Sequence, residues 1–152
     1  MGLSRDSTFL SRVSKIIWSK GPHTLKGAIN SKVYARIGDA LVNLAAAIAV
    51  GAFEMSAVLH NKVDNKFLRQ VARLSKLNEV LSGRMDTHDI GNAVEALMAF
   101  GWLSNYISLE DIVESLSSPG KEAVKMAQLA DKILEEASKA FESKKRDKDF
   151  GY

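Results

Sequence analysis

The sequence predicts an all-α domain of five to seven helices. Every clear apolar period in the chain is three or four residues long, which places apolar side chains on one face of a helix. No segment alternates polar and apolar residues in the way that a strand requires. The chain has 152 residues, of which 46% are hydrophobic and 26% charged. This length and composition indicate one globular domain with its own core.

The N-terminal third contains the first two predicted helices. The apolar face of the first is formed by Phe9, Val13, Ile16 and Ile17. Gly21 and Pro22 are predicted to end this helix, because proline cannot continue one. Ser31 is a predicted N-cap for the second helix, since a serine oxygen can accept a hydrogen bond from a free backbone N–H. The apolar face of the second helix contains Val33, Ile37, Leu41, Leu44 and Ile48.

Two more helices are predicted in the middle of the chain. A polar connector, residues 61–65, precedes the first of them, whose apolar face contains Phe67, Val71 and Leu74. The turn residues Ser82 and Gly83 then precede a helix capped at Asp86 or Thr87. The apolar face of that helix contains Ile90, Val94, Leu97 and Gly101.

The C-terminal part is predicted to contain a short acidic helix and a long amphipathic one. Ser108 followed by Asp111 has the spacing of a capping box at the start of the short helix. A loop at residues 117–120 separates it from the long helix, whose apolar face contains Met126, Ala130, Ile133, Leu134, Ala137 and Phe141. Residues 1–143 are therefore interpreted as one domain, and the charged residues 144–152 as a flexible tail.

Composition excludes several classes of protein. The chain contains no cysteine, which rules out thiolate nucleophiles, thiolate metal sites and disulfides. No stretch without a charge exceeds fourteen residues, the length of Ala40 to Phe53, which is shorter than the ~20 needed to cross a membrane. No membrane span and no secretion signal are expected, so a cytoplasmic location is predicted.

Two isolated carboxylates are the candidate site residues. Asp39 follows Gly38 in the second predicted helix, and Glu95 lies in the apolar helix about fifty residues later. A lone acid on a mostly apolar helix is costly to desolvate unless a cation compensates it, so two such acids suggest a metal site. The simpler alternative for Asp39 is an ion pair with Arg36 or a hydrogen bond with Asn43, each one turn away.

The sequences around these two acids resemble the two helical signatures of the ribonuclease III family. The segments are 34–41, Tyr-Ala-Arg-Ile-Gly-Asp-Ala-Leu, and 92–100, Asn-Ala-Val-Glu-Ala-Leu-Met-Ala-Phe. Their order and separation also fit the family. The resemblance covers roughly residues 30–105. Because no double-stranded-RNA-binding domain follows these segments, the chain looks similar to the minimal Mini-ribonuclease III type or to a small archaeal relative.

This resemblance implies a helical endonuclease-domain bundle and a metal-dependent endoribonuclease acting on double-stranded or structured RNA. It implies Asp39 and Glu95 as ligands of Mg²⁺, with Mn²⁺ as a substitute, and Asn92 as a helper in catalysis. It also implies a symmetric homodimer. The chain departs from the family pattern at Ala35 and Asn92, where full-length members carry a glutamate and an aspartate. Losing a carboxylate weakens binding of a hard divalent cation.

A basic surface is predicted for RNA contact. Residues 1–33 carry six Lys or Arg against the single Asp6, whereas the whole chain has a net charge of +3. Charge alone favours an ordinary solvated helix face. The resemblance makes these cations candidate contacts to an RNA backbone, and the residues chosen are Arg12, Lys15, Lys20, Lys26, Lys32 and Arg36.

Two other functions remain compatible with the sequence. One is a catalytically weak or inactive relative that keeps the dimer and binds RNA, which Asn92 favours. The other is a helical protein-interaction scaffold, with the last amphipathic helix as its binding surface.

Overall fold

The computed structural model describes residues 9–13, 15–16, 24–53, 63–81 and 87–149, and all regular secondary structure within them is helical. The predicted all-α class is therefore confirmed. Residues 9–13 and 15–16 are helical and form an N-terminal segment. The helices that follow are α1 (Leu25–Ile29), α2 (Lys32–Phe53), α3 (Asn65–Leu74), α4 (Leu77–Val80), α5 (Thr87–Leu103), α6 (Leu109–Leu116) and α7 (Glu122–Asp149).

Helix α5 lies at the centre of the fold and packs against α1, α2, α3 and α7. Nine consecutive residues of this helix, 93–101, are buried. Apart from Glu95 this stretch is apolar on every side, and such a helix must be covered by its neighbours, which explains its central position. Its most extensive contact is with α2, the other helix that carries a candidate site residue. The two predicted acids therefore lie on the two helices that share the most extensive contact.

Side-chain caps begin the helices where the sequence predicts them. The Tyr34 N–H donates to the Ser31 hydroxyl at 3.3 Å, at the start of α2. Ser108 and Asp111 form a complete capping box at the start of α6. Asp86 lies outside the described residues, and α5 begins at Thr87. The Ser82-Gly83 turn and the Gly21-Pro22 stop also lie outside them.

The two shortest helices, α1 and α4, were not predicted. Each contains only five or four residues, so neither shows a repeating apolar face. The N-terminal segment was predicted as a helix, and its described residues are helical. Its apolar residues are nevertheless largely uncovered. Val13 is partly buried against the core, whereas Phe9 and Ile16 are exposed.

Residues 144–149, predicted as part of a flexible tail, continue α7 to Asp149. Lysine, glutamate and arginine are good helix formers, and neither glycine nor proline occurs between Glu122 and Asp149 to end the helix. The predicted loop before α7 is observed, and Gly120 in it has a φ of 77°. That angle suits glycine, which has no side chain to clash in the left-handed region.

One helix in the described residues passes the length and composition test for a membrane span, over Lys32–Gly51. The sequence predicted none, because Lys32, Arg36 and Asp39 shorten the uncharged stretch. This segment belongs to α2 and packs against α5 and α6. Such a test is also passed by core helices of globular domains, so it is weak support for a membrane span.

Candidate metal site between α2 and α5

Helices α2 and α5 touch through their backbones at Gly38. A Cβ atom added to Gly38 would lie 1.7 Å from the carbonyl oxygen of Glu95 and 2.9 Å from its Cα. Any residue larger than glycine would therefore force the helices apart. The absence of a side chain at position 38 lets Asp39 and Glu95 approach from facing helices. The glycine of the sequence signature thus has a direct structural role.

Asp39 is half-buried on α2 and is oriented by Asn43, one turn later. The Asn43 side-chain amide donates to Asp39 Oδ1 at 3.0 Å and to the Asp39 backbone carbonyl at 2.7 Å. The hydrogen bond considered in the simpler alternative is therefore present. The ion pair considered with it is absent, since Arg36 and Asp39 do not come within 4.0 Å in the described part of the chain. Asp39 Oδ2 takes no part in the bond to Asn43.

Glu95 is the one charged side chain that is buried among the residues the structure describes, at 6% exposure. Asn92 lies one turn before it on α5 and is half-buried. Residues three apart on a helix share a face, so both side chains point toward the same side of α5. Burial of a carboxylate is unfavourable without compensating polar or cationic groups.

A cavity of about 470 Å³ brings the predicted site residues together. Asp39, Asn92 and Glu95 all line it, and Arg36 does so from one turn before Asp39. The remaining lining residues are Ala35, Val63, Asp64, Asn65 and Leu68. The structure therefore places the three predicted residues in one cavity.

Sequence reasoning missed Asp64 and Asn65, which it assigned to a polar connector. Asp64 caps α3, because its Oδ1 accepts from the Phe67 N–H at 2.8 Å. Asn65 lies against α5, where a Cβ on Gly91 would meet the Asn65 side-chain oxygen at 2.5 Å. The Asp at a helix start was a readable capping signal. Its proximity to Asp39 and Glu95 was not readable, since it depends on how α3 packs on α5.

The donor set of the cavity suits a hard divalent cation. Among the described lining residues, three carboxylates and two amides supply oxygen ligands, and none of these residues is a histidine or a cysteine. The formal charge of this described set, three carboxylates and the Arg36 guanidinium, is −2. In the described parts of the chain, however, no three His, Asp or Glu side chains are grouped closely enough to hold one ion between them. Mg²⁺ needs only one or two carboxylates, because it keeps several of its waters.

The predicted RNA-contacting cations lie at different places. Arg12 and Lys15 are exposed on the N-terminal segment, and Lys26 is exposed on α1. Lys32 is exposed on α2, one turn before Arg36, the cation that lines the cavity. Lys20 lies outside the described residues. Of the described members of this set, Arg36 alone lines the cavity.

Comparison with known proteins identifies a family for most of the chain. A family model described as Ribonuclease III matches residues 32–143. The match includes both site helices, the cavity and the whole of α3 to α6. No curated protein matches the sequence significantly.

Proposed function

The chain belongs to the ribonuclease III family, and we propose that it is a metal-dependent endoribonuclease that hydrolyses phosphodiester bonds in double-stranded or structured RNA. Family membership indicates an RNA endonuclease, and the individual residues support the finer proposal. The observation that carries it is the contact between Gly38 and Glu95, which brings two carboxylates from separate helices to one cavity. Nothing in the packing of an ordinary helical core requires an acid from each helix beside such a backbone contact.

Asp39 and Glu95 are the proposed ligands of Mg²⁺ or Mn²⁺, and the Asn92 amide oxygen is the proposed third protein group near the ion. When bound, the ion would polarise the scissile phosphodiester and lower the pKa of the attacking water. The protein holds its own groups ready for this. Asn43 fixes the Asp39 carboxylate, and burial of Glu95 in the central helix limits its motion.

Arg36 is proposed to contact the RNA phosphate at the cavity. Its guanidinium is exposed, lies on the same helix as Asp39 and is not engaged in an ion pair with it. Arginine matches the geometry of a phosphate group with two parallel donors. Lys26 and Lys32 would extend this contact along the duplex backbone, which is how proteins recognise A-form RNA without reading its bases.

A homodimer is proposed, with the outer face of α2 as its interface. Leu44 is 51% exposed and Ile48 is 38% exposed, and Ala40 and Ala47 on the same face are also exposed. A second copy can cover such a face by twofold symmetry, because the same apolar residues then meet each other. Asp39 borders this face, so the two cavities of a dimer would be related by the same axis.

An RNA-binding protein without cleavage activity is the second candidate. Ala35 and Asn92 both line the cavity, and both are neutral where longer family members carry acids. Fewer negative ligands mean weaker binding of a divalent cation. Binding without cleavage would use the same basic residues and the same dimer.

The experiment is incubation of the full chain with long duplex RNA, with and without Mg²⁺ or Mn²⁺; cleavage is read on a denaturing gel and binding on a native gel. We expect cleavage only with metal, and none from Asp39→Asn or Glu95→Gln. Circular dichroism should show that both variants keep their helical content. Lys139→Ala serves as a control, because Lys139 lies on the exposed face of α7 and its ion-pair partners among the described residues are Glu135 and Glu136.

The outcomes separate the candidates. Full cleavage by either acid variant would show that the site is assigned incorrectly. Metal-independent binding of duplex RNA without cleavage would favour the inactive relative. A chain that neither binds nor cuts RNA under any of these metals would favour the helical scaffold.

A further inference from the structure

We propose that Asp64 belongs to the metal site, as a positioning carboxylate that raises the affinity of the cavity for a divalent cation. The inference rests on the proposed function, since it concerns the same cavity. Asp64 comes from α3, a helix that neither sequence signature includes. It was assigned to a connector by sequence reasoning and lines the cavity with Asp39 and Glu95 in the structure.

Asp64 adds to the negative charge of the cavity. Among the described lining residues, α2 and α5 supply two carboxylates and the Arg36 guanidinium, which have a formal charge of −1. With the Asp64 carboxylate the formal charge of the described lining is −2. More negative ligand charge is what increases affinity for hard cations such as Mg²⁺ and Mn²⁺. Asp64 therefore compensates for the neutral Ala35 and Asn92 in the same lining.

The Asp64 carboxylate is also held in place by the backbone of α3. Its Oδ1 accepts the Phe67 N–H at 2.8 Å, as an N-cap with extended backbone angles of φ −96° and ψ 169°. Asp64 Oδ2 takes no part in that bond. A carboxylate that is already ordered loses little freedom when it accepts a further hydrogen bond, for example from a water on the ion.

Tertiary packing in turn fixes the start of α3 against the cavity. The Asn65 side-chain oxygen occupies the space beside Gly91, immediately before Asn92. A Cβ on Gly91 would also lie 3.5 Å from Leu68, which is buried under the same helix contact. Gly38 thus allows α2 to reach α5 at Glu95, and Gly91 allows the start of α3 to reach α5 one turn before Glu95. Asp64 is carried to the site by this second contact.

Asp64 acts on the ion through a metal-bound water or through its charge, and not as a direct ligand. Its side chain does not form a group of three acids with Asp39 and Glu95 close enough for all to bind one ion directly, within the residues described. Groups that orient metal-bound waters or direct ligands change metal affinity by roughly 10- to 100-fold when they are removed. An effect near the lower end, about tenfold, is expected for an exposed carboxylate.

Asp64→Asn separates this role from helix capping. Asparagine caps helices about as well as aspartate, so the variant keeps the bond to Phe67 and loses only the charge. Asp111→Asn is the matched control, because Asp111 is likewise an acid at a helix start whose carboxylate accepts a backbone N–H, and it does not line the cavity. Asp39→Asn is the control for the proposed function itself.

The measurement is isothermal titration of each full-length protein with MnCl₂ and MgCl₂, together with its unfolding temperature without metal. We expect Asp64→Asn to bind about tenfold more weakly at an unchanged unfolding temperature, and Asp111→Asn to bind like the unaltered chain. Equal affinity of Asp64→Asn and the unaltered chain would show that Asp64 is only a cap. An equal loss in Asp111→Asn would show a general charge effect, and it would also overturn the inference.

Failure of the inference can be told apart from failure of the proposed function. If Asp39→Asn abolishes binding and Asp64→Asn does not weaken it, the metal site stands and Asp64 is not part of it. If the unaltered chain binds neither ion, both the inference and the proposed metal-dependent nuclease are wrong.

Discussion

Replacing Gly38 by alanine tests the central claim that the site depends on close backbone contact between α2 and α5. The added Cβ would lie 1.7 Å from the Glu95 carbonyl oxygen, whereas ordinary contact begins near 3.4 Å. The helices must therefore separate by roughly 1.7 Å at their crossing, since the obstructing atoms belong to a helix backbone and cannot rotate away.

The expected change in the free energy of unfolding of Gly38→Ala is the sum of two opposing effects. Overpacking a well-packed contact costs about 1–3 kcal/mol, and a backbone obstruction falls at the upper end. Alanine in a helix interior is more stabilising than glycine by about 1 kcal/mol. The free energy of unfolding should therefore fall by about 2 kcal/mol, which lowers the unfolding temperature by about 4–8 °C for a chain of this size.

Gly51→Ala is the matched control on the same helix. A Cβ at Gly51 meets no atom within 4 Å, and the position is exposed. Helix propensity then acts alone, so this variant should be as stable as the unaltered protein or more stable by up to about 1 kcal/mol. Thermal unfolding followed by circular dichroism measures both variants. An unfolding temperature that rises in Gly38→Ala as in Gly51→Ala would refute the close-contact account.

Three further predictions concern other parts of the structure. Asn92→Asp adds a carboxylate to the cavity, so titration should show tighter Mg²⁺ binding, and cleavage should need less metal; unchanged affinity would count against Asn92 as a site residue. Leu44→Asp places a charge on the exposed apolar face of α2. Light scattering should then report a monomer in place of the proposed dimer, and a persisting dimer would show that the interface lies elsewhere. Tyr34→Phe removes a buried hydroxyl that has no hydrogen-bond partner among the described residues, so stability at neutral pH should be unchanged or higher by up to about 1 kcal/mol. Burial raises the pKa of the Tyr34 hydroxyl above 10.0, so its ionisation should destabilise the folded protein as the pH rises through that raised pKa. Tyr34→Phe should therefore lose less stability above pH 10 in alkaline denaturation, and identical denaturation curves for the two proteins would contradict this.

The sequence predicted the helices that have several turns and a clear apolar face. Periods of three and four residues located α2, α3, α5 and α7, and capping signals located the starts of α2 and α6. These features are readable because they depend on residues within one or two turns of each other. Helices α1 and α4 were missed for the same reason, since a single turn has no period to read.

The composition of the site was partly readable, and its assembly was not. Two acids in apolar helices identified Asp39 and Glu95, because a charge in an apolar setting is unusual whatever the fold. The geometry that joins them depends on Gly38 meeting the Glu95 backbone, a contact between residues 57 positions apart. The packing of α3 against Gly91 likewise decided that Asp64 and Asn65 line the cavity. Local sequence determines which helices form and which carry charges, whereas side-chain volume at the helix crossings determines which charges meet.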